Sequence, residues 1–372
     1  MNSKLNSILN EFDLKSKIIG ITENTQGNIN FTYVIECENG SKYLLQKINT
    51  SVFKEPYLVM KNIELVTEHI NMITEDNEKN LKVIKTSDNS SLVVYTNDSG
   101  EHEYYRMYNY IDNTVSYDSL NDTDNALDLA YNAGSSFGRF HKYLNDFPID
   151  SLSETIPNFH NTPKRFLDMI QSVQNNVKNR SFEYSREIVD LITKSKECSV
   201  IYNKLGNSIP YRVTHNDTKL NNVMIDKNTS KGVAVIDLDT VMPGSILYDI
   251  GDGIRSACSN SSEDETDKEK IFLNMDYTKA YLDGFLEETA DILTPSEINN
   301  IALSIKTITY ELALRFLTDY INGDTYFKIK YPHHNADRFI NQYTLLLDIE
   351  KKLKDIQKYS NNCVKKKILI KK

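Results

Sequence analysis

The sequence predicts an α+β protein in two lobes, an antiparallel-sheet N-terminal lobe followed by a mostly helical C-terminal lobe. Three observations predict this. The chain has 372 residues, more than one hydrophobic core ordinarily holds. Its first hundred or so residues carry strand and turn signals around a single helical stretch. After Tyr110 the apolar spacing becomes helical. The expected division is residues 1–108 and 109–372.

Taken in order, Phe31-Thr32-Tyr33-Val34-Ile35-Glu36 and Lys42-Tyr43-Leu44-Leu45-Gln46-Lys47 read as a hairpin. Asn39-Gly40 would close it in a type I′ turn. A helix is expected over Tyr57 to Ile70, then strands at Leu81–Lys85, Ser91–Thr96 and Glu103–Tyr110. Beyond these, Ala126, Leu129, Ala130, Ala133, Phe137, Phe140 and Leu144 share one helical face. Further helices are expected from Arg165 to Val173 and from Phe182 to Ser195. Strands follow at Asn222–Asp226 and Val233–Ile236. Thr294-Pro295-Ser296-Glu297 is a capping box with proline at the first helical position, and Ile298, Ile301, Ile305, Ile308 and Leu312 continue from it. The acidic run Glu263 to Asp267 reads as a solvated loop. The tail from Lys351 holds nine lysines and reads as an exposed helix with a frayed end.

Composition narrows the function classes. Apolar residues make up 40% and charged residues 26%, as in soluble globular proteins. A net charge of −9 argues against a nucleic-acid partner. No apolar run reaches membrane-spanning length, so no membrane partner is expected. The cysteines Cys37, Cys198, Cys258 and Cys363 are scattered without a C-x-x-C pair, which fits a reducing compartment. The N-terminus lacks a signal-peptide core, and the expected location is the cytoplasm.

The chemistry concentrates at His215-Asn216-Asp217-Thr218-Lys219-Leu220-Asn221-Asn222, with Asp237 fifteen residues after Asn222. The spacing H-x-D-x-x-x-x-N, then a strand pair ending in Asp, supplies the groups that phosphoryl transfer from ATP requires. Asp217 would orient the acceptor hydroxyl and take its proton. Asn222 and Asp237 would lie side by side across a hairpin and hold Mg²⁺, a hard cation that prefers oxygen ligands. Asp239, two residues on, would face the same side of an extended chain. His215 reads as a brace for the loop. Lys219 could neutralise charge on the moving phosphoryl group.

The N-terminal lobe shows no Walker loop and no G-x-G-x-x-G. Thr25-Gln26-Gly27-Asn28-Ile29-Asn30 could form a short phosphate-covering turn. Either Gln46 or Lys47 would point into the cleft, because Leu44 and Leu45 leave the alternation undecided. Glu64 or Glu68 would pair with the strand lysine. Arg106-Met107-Tyr108-Asn109-Tyr110 falls where a hinge would hold adenine, making Met107, Tyr108 and Tyr110 candidate nucleotide contacts. Arg315 and Asp319 share a helical face, either as a structural pair or with Arg315 as a ligand anchor.

These segments resemble the aminoglycoside phosphotransferase and choline kinase superfamily, whose fold is protein-kinase-like. Val235-Ile236-Asp237-Leu238-Asp239-Thr240-Val241-Met242-Pro243-Gly244, Tyr248-Asp249-Ile250-Gly251-Asp252-Gly253-Ile254-Arg255 and Glu311 to Tyr320 extend the resemblance. Within the superfamily the chain is most similar to the N-acetylhexosamine 1-kinase group. That resemblance implies ATP- and Mg²⁺-dependent phosphorylation of the anomeric hydroxyl of N-acetylglucosamine or N-acetylgalactosamine. Asp217 would be the base, Asn222 and Asp237 the metal ligands, and Lys219, Thr240 and Arg315 would lie near the sugar. The partners implied are a small sugar and a nucleotide. A protein kinase is disfavoured, because Asn216 replaces Arg, Leu238-Asp239 replaces Phe-Gly, and no A-P-E segment follows. An aminoglycoside or choline kinase would want acceptor-site carboxylates, where Lys219 and Arg315 are unhelpful. A nucleotide-binding scaffold without chemistry is disfavoured by the presence of Asp217, Asn222 and Asp237 together.

Overall fold

The computed structural model describes residues 3–24, 30–75 and 78–370. Of the expected phosphate-covering turn, residues 25–29 lie outside the described residues and Asn30 within them.

The N-terminal region contains α1 (Ser3–Asn10), β1 (Ile18–Asn24), β2 (Phe31–Cys37), β3 (Lys42–Lys47), α2 (Pro56–Ile73), β4 (Val83–Ile84), β5 (Val93–Thr96) and β6 (His102–Asn109). The six strands form one antiparallel sheet in the order β1-β2-β3-β6, with β4 and β5 both on the far edge of β6. Both faces of this sheet are covered. Ile8 and Leu9 from α1, with Phe12 just after it, pack on one face against Leu45, Tyr105 and Met107. Val59, Met60, Ile63 and Val66 from α2 join the core on the other face with Leu44, Tyr104 and Tyr108. No sequence signal marks α1, whose 8 residues hold no acidic residue in the first turn and no basic residue in the last.

The β2–β3 hairpin forms as expected, but its turn is not type I′. Asn39 is not among the residues with positive φ, and Gly40 alone takes the left-handed conformation at φ +85°. Gly40 N–H donates to the Cys37 carbonyl and Cys37 N–H to the Ser41 carbonyl, each at 2.9 Å. This is a three-residue loop with a left-handed glycine.

The C-terminal region opens with β7 (Thr114–Val115) and α3 (Ala126–Tyr143), followed by α4 (Thr162–Asn175), α5 (Ser185–Cys198) and α6 (Val200–Lys204). Then come β8 (Arg212–Thr214), β9 (Val223–Asp226), β10 (Gly232–Val235) and β11 (Met242–Gly244). Strands β7, β9 and β10 make a three-stranded sheet, and β8 pairs with β11. The rest is helical: α7 (Ile246–Ala257), α8 (Met275–Thr289), α9 (Pro295–Ile298), α10 (Ile301–Asn322) and α11 (His334–Ile370). Helices α3 and α8 touch backbone to backbone. A Cβ at Gly134 would fall 2.0 Å from the Tyr281 carbonyl oxygen, and one at Gly284 2.0 Å from that of Tyr131. Larger residues there would push the helices apart.

Three expectations change here. The capping box at Thr294–Glu297 forms, but it starts only the four-residue α9. The apolar run continues in a separate helix, α10, that begins after Asn300. The lysine-rich tail belongs to α11 and is packed: Ile349, Ile356, Cys363 and Val364 lie in the main helical core. Its lysines occupy the outer face. The acidic loop is not simply solvated either. Glu263 pairs with Arg255 at 2.9 Å and Arg338 at 3.1 Å, and Asp264 lies 3.0 Å from His334.

Candidate active site

Strand β8 delivers the chain to His215, which is fully buried. Its Nε2–H donates to the Ile236 carbonyl at 2.9 Å, and its Nδ1 accepts from Asp217 N–H at 3.2 Å. One tautomer satisfies both bonds. The imidazole therefore fixes the backbone of Asp217 and ties it to the strand that leads into Asp237. Asn216 follows in a left-handed conformation, φ +65°, which asparagine tolerates better than most residues.

The loop has a second support, Asp249 on α7. It is 0% exposed. It accepts from His215 N–H and Asn216 N–H, both at 2.7 Å, and from His141 Nε2–H at 2.9 Å. Burial alone would raise the Asp249 carboxyl, but His141 and His215 hold it below the usual carboxylate range. The sequence shows Asp249 only within a resemblance, because its partners lie 33 to 108 residues away. Asn at this position must turn an NH₂ group toward one of the donors. Asp249→Asn is expected to lower unfolding free energy by about 1–3 kcal/mol and to lower kcat more than it changes the KM for ATP. Denaturant unfolding and steady-state kinetics check this, and wild-type values for both would refute the role.

Asp217 sits at the end of this brace with Lys219 Nζ 2.8 Å away. Burial pushes its carboxyl up, yet the charge and hydrogen bond of Lys219 hold it below its ordinary value. Asn222 Nδ2 donates to the Asp217 main-chain carbonyl at 2.8 Å, which leaves the Asn222 amide oxygen for another partner. Ile236 N–H donates to the Asn222 carbonyl at 2.9 Å, so Asn222 and Asp237 come together across the start of the β9–β10 pair.

Asp237 adopts φ +61° and turns the chain into a short helical turn over Leu238–Thr240. The chain is thus not extended at Asp239, contrary to expectation. Burial first, and then the neighbouring carboxylates of Asp239 and Asp217, push the Asp237 carboxyl up to about 7. Asp239 is almost completely buried and accepts from Asn30 Nδ2 at 2.8 Å. Thr240 braces the same loop, its hydroxyl donating to the His215 carbonyl at 2.6 Å.

Opposite these carboxylates stands a cation that sequence reading assigned only to the hinge. Arg106 is 1% exposed, and its Nη1 pairs with Asp239. Its Nε and Nη2 donate to Gln46 Oε1 at 3.1 and 2.9 Å. Arg106 and Gln46 are direct partners in the β3–β6 register. Gln46 is therefore the residue of β3 that faces the cleft. Lys47 lies on the other face, 2.7 Å from Glu103. The ion pair expected between α2 and the strand lysine goes elsewhere, because Glu64 pairs with Lys85.

The hinge expectation also shifts. Met107 is buried in the core beneath α1, and the register sets it between Leu45 and Ile84. Tyr108 lies between Leu44 and Val83, with its ring 5.2 Å from the Arg106 guanidinium. Asn109 N–H and Tyr110 N–H donate to the carbonyls of Lys82 and Lys42. These main-chain groups are committed to the sheet.

Arg315 does not pair with Asp319. Asp319 accepts from the N–H groups of Thr325, Tyr326 and Phe327 and from Asn335 Nδ2, at 2.8–2.9 Å. It organises the loop after α10. The Arg315 guanidinium instead lies 5.7 Å from the Phe159 ring, 5.8 Å from Tyr326 and 5.3 Å from Phe327. The structure thus brings Asp217, Lys219, Asn222, Asp237 and Asp239 together beneath Arg106 and Gln46. Arg315 stands apart from them, while Lys47 and Met107 point away.

A family model described as "Phosphotransferase enzyme family" matches residues 85–285, more than half of the chain and the whole of this carboxylate cluster. The chain belongs to the phosphotransferase enzyme family. Solved structures agree in fold. A microcompartment-associated aminopropanol kinase superimposes with a TM-score of 0.60 at 11% identity, covering 95% of this chain and 98% of that one. An aminoglycoside phosphotransferase from Alicyclobacillus acidocaldarius gives 0.59 at 13%, covering 97% and 96%. Choline kinase from Cryptosporidium parvum gives 0.55 at 12%, covering 90% of each. The phosphotransferase thus has the protein-kinase-like fold, with its antiparallel sheet at the N-terminal end and helices at the C-terminal end. No helix among the described residues is long and apolar enough to cross a membrane.

Proposed function

We propose that this phosphotransferase moves the γ-phosphoryl group of ATP to the anomeric hydroxyl of an N-acetylhexosamine. The observation that carries the transfer step is Asp217 beside Lys219 at 2.8 Å, on a loop braced by His215 and Asp249. The carboxylate is kept ionised, so it can orient an acceptor hydroxyl and accept its proton. Lys219 faces the place where negative charge is transferred.

Mg²⁺ would be held at Asn222 and Asp237, since no group of three or more acidic, histidine or cysteine side chains among the described residues is arranged to hold a metal by itself. Burial first, and then the charges of Asp239 and Asp217, raise the Asp237 carboxyl, and a bound cation would favour its ionised form. Asn222 and Asp237 would hold it, an arrangement of few protein ligands that suits a metal shared with substrate phosphates. When bound, the ion would neutralise charge on those phosphates. Arg106 takes the place of the strand lysine as the cation of the N-terminal lobe.

The acceptor side favours a sugar over a cationic alcohol. Choline or an aminoglycoside would call for carboxylates there, whereas Arg315 offers a guanidinium that lies among aromatic rings and has no ion-pair partner among the described residues. An anomeric hydroxyl is also more acidic than an ordinary alcohol, which suits a loop that combines a base with a lysine. Release of ADP in the presence of N-acetylglucosamine, N-acetylgalactosamine, choline, ethanolamine and aminoglycosides tests the reading. Turnover with the amino sugars alone is expected, and turnover only with the cationic alcohols would refute it. Arg315→Ala should raise the KM for the sugar by on the order of tenfold or more, the loss of one charge-assisted contact. The KM for ATP should change far less. An unchanged sugar KM with lowered stability would make Arg315 structural.

A further inference from the structure

Glu263, the first residue of the acidic loop, ends a line of charges that begins at the catalytic loop. Thr218 stands between Asp217 and Lys219 and is fully buried. Its N–H donates to Asp252 Oδ2 at 3.0 Å. The other carboxylate oxygen of Asp252 accepts from Arg255 Nε and Nη2, at 3.1 and 2.8 Å. Arg255 Nη1 donates to Glu263 Oε1 at 2.9 Å, and Glu263 Oε2 accepts from Arg338 Nη2 at 3.1 Å. Asp252 and Arg255 are buried, so solvent and salt screen this part of the line little. The signs alternate, so each charge has an opposite neighbour.

Helix α11 fixes the outer end. Arg338 belongs to that helix, and its guanidinium lies 4.0 Å from the Phe316 ring. Asn341, one turn on and buried, donates through Nδ2 to the carbonyls of Ser262 and Glu265, each at 3.0 Å. Gln342 Oε1 accepts from Arg255 at 3.4 Å. The helix thus holds Glu263 both by its carboxylate and by the main chain on either side of it.

The inner end acts on the peptide group that joins Asp217 to Thr218. Asp252 holds its N–H, and Asn222 Nδ2 donates to its carbonyl at 2.8 Å. A peptide group is planar, so turning the N–H also turns the carbonyl. The carbonyl in turn sets the Asn222 amide, with Nδ2 engaged and the amide oxygen left for a metal.

We propose that Glu263, acting through Arg255 and Asp252, is a positioning residue that fixes the Asp217–Thr218 peptide and the Asn222 amide oxygen. The metal half of this inference rests on the assignment of Asn222 to Mg²⁺ above. Asp249 braces the start of the catalytic loop, and this line of charges braces its middle. Without the Glu263 charge, Arg255 keeps one ionised partner, its rigid fork is free to turn, and Asp252 turns with it.

Hydrogen exchange reads the hold on the loop with no ligand present. In Glu263→Gln the Thr218 amide should exchange about tenfold faster or more, the loss expected when a buried charge-assisted contact is weakened. Glu263→Asp should recover part of the protection. Asp267→Asn removes the same charge from the same loop, but from an exposed pair with Lys270, and should match the wild type. If Glu263→Gln does not fold, Arg338→Gln carries the test with the same sign. A second readout is the Mg²⁺ concentration needed for a non-hydrolysable ATP analogue to bind, followed by calorimetry. Glu263→Gln should raise it by about tenfold, as when the support of a metal ligand is lost. At saturating Mg²⁺ the affinity for the analogue should change far less. Wild-type exchange at Thr218 in both Glu263→Gln and Arg338→Gln overturns the proposal, whatever the Mg²⁺ requirement. Faster exchange with an unchanged Mg²⁺ requirement upholds the brace and rejects Asn222 as the ligand.

Discussion

Asp217→Asn is expected to lower kcat by about 10²–10⁴-fold, the range for loss of a positioned general base. The lower part of that range is favoured, because an anomeric hydroxyl gives up its proton more readily than an ordinary alcohol. The substitution keeps the shape of the side chain. His215, Asp249 and the main-chain carbonyl that receives Asn222 Nδ2 are untouched, so the loop should fold as before. The loss should therefore fall on kcat, with the KM for ATP changed far less. One further effect follows from the 2.8 Å contact to Lys219. Removing the carboxylate frees that ammonium to turn towards the phosphates, so ATP binding should tighten even as turnover collapses. Near-normal turnover would remove Asp217 from the mechanism.

Arg106→Met should produce the second large effect. It removes a cation buried against Asp239 and Gln46. Breaking such a pair by deleting one partner costs about 3–5 kcal/mol, because the other charge stays buried. If Arg106 anchors the phosphates, kcat/KM for ATP should also fall by on the order of 10²–10³-fold, as when a preorganised donor to a transferring group is lost. Lys47→Met is the informative companion. Lys47 pairs with Glu103 on the far face of the sheet, so its loss should leave the KM for ATP unchanged. If Lys47→Met raised that KM and Arg106→Met did not, the assignment of the N-terminal cation would be reversed.

The contrast between these two residues shows what the sequence could and could not reveal. The H-x-D-x-x-x-x-N spacing and the later Asp237 are local, and local geometry is enough to bring them together. The strands and the main helices were legible from alternation, turn residues and 3.6-residue periodicity. The orientation of β3 was not. Its sheet is covered on one face by α1 and on the other by α2, so Leu44 and Leu45 are both apolar and the period-2 signal disappears. Once Gln46 is seen to face the cleft, the β3–β6 register places Arg106 beside it. That register is a long-range property, so the local sequence places Arg106 only within a hinge segment. Asp249 was hidden for the same reason. Charged residues whose partners are far apart in sequence likewise look solvated or locally paired. Glu263 binds Arg255 and Arg338, and Asp319 caps a loop where a partner for Arg315 was expected. In the tail, abundant lysines masked the apolar stripe that seats α11 on the core.

The most direct test of the account is to find where the phosphate goes. Purified protein with ATP, Mg²⁺ and an N-acetylhexosamine should yield a product whose phosphorus couples to the anomeric proton in ³¹P NMR. Formation of the sugar 1-phosphate, lost in Asp217→Asn, is the predicted result. Phosphate attached at any other hydroxyl, or transfer to choline or an aminoglycoside with every hexosamine left unchanged, would contradict it.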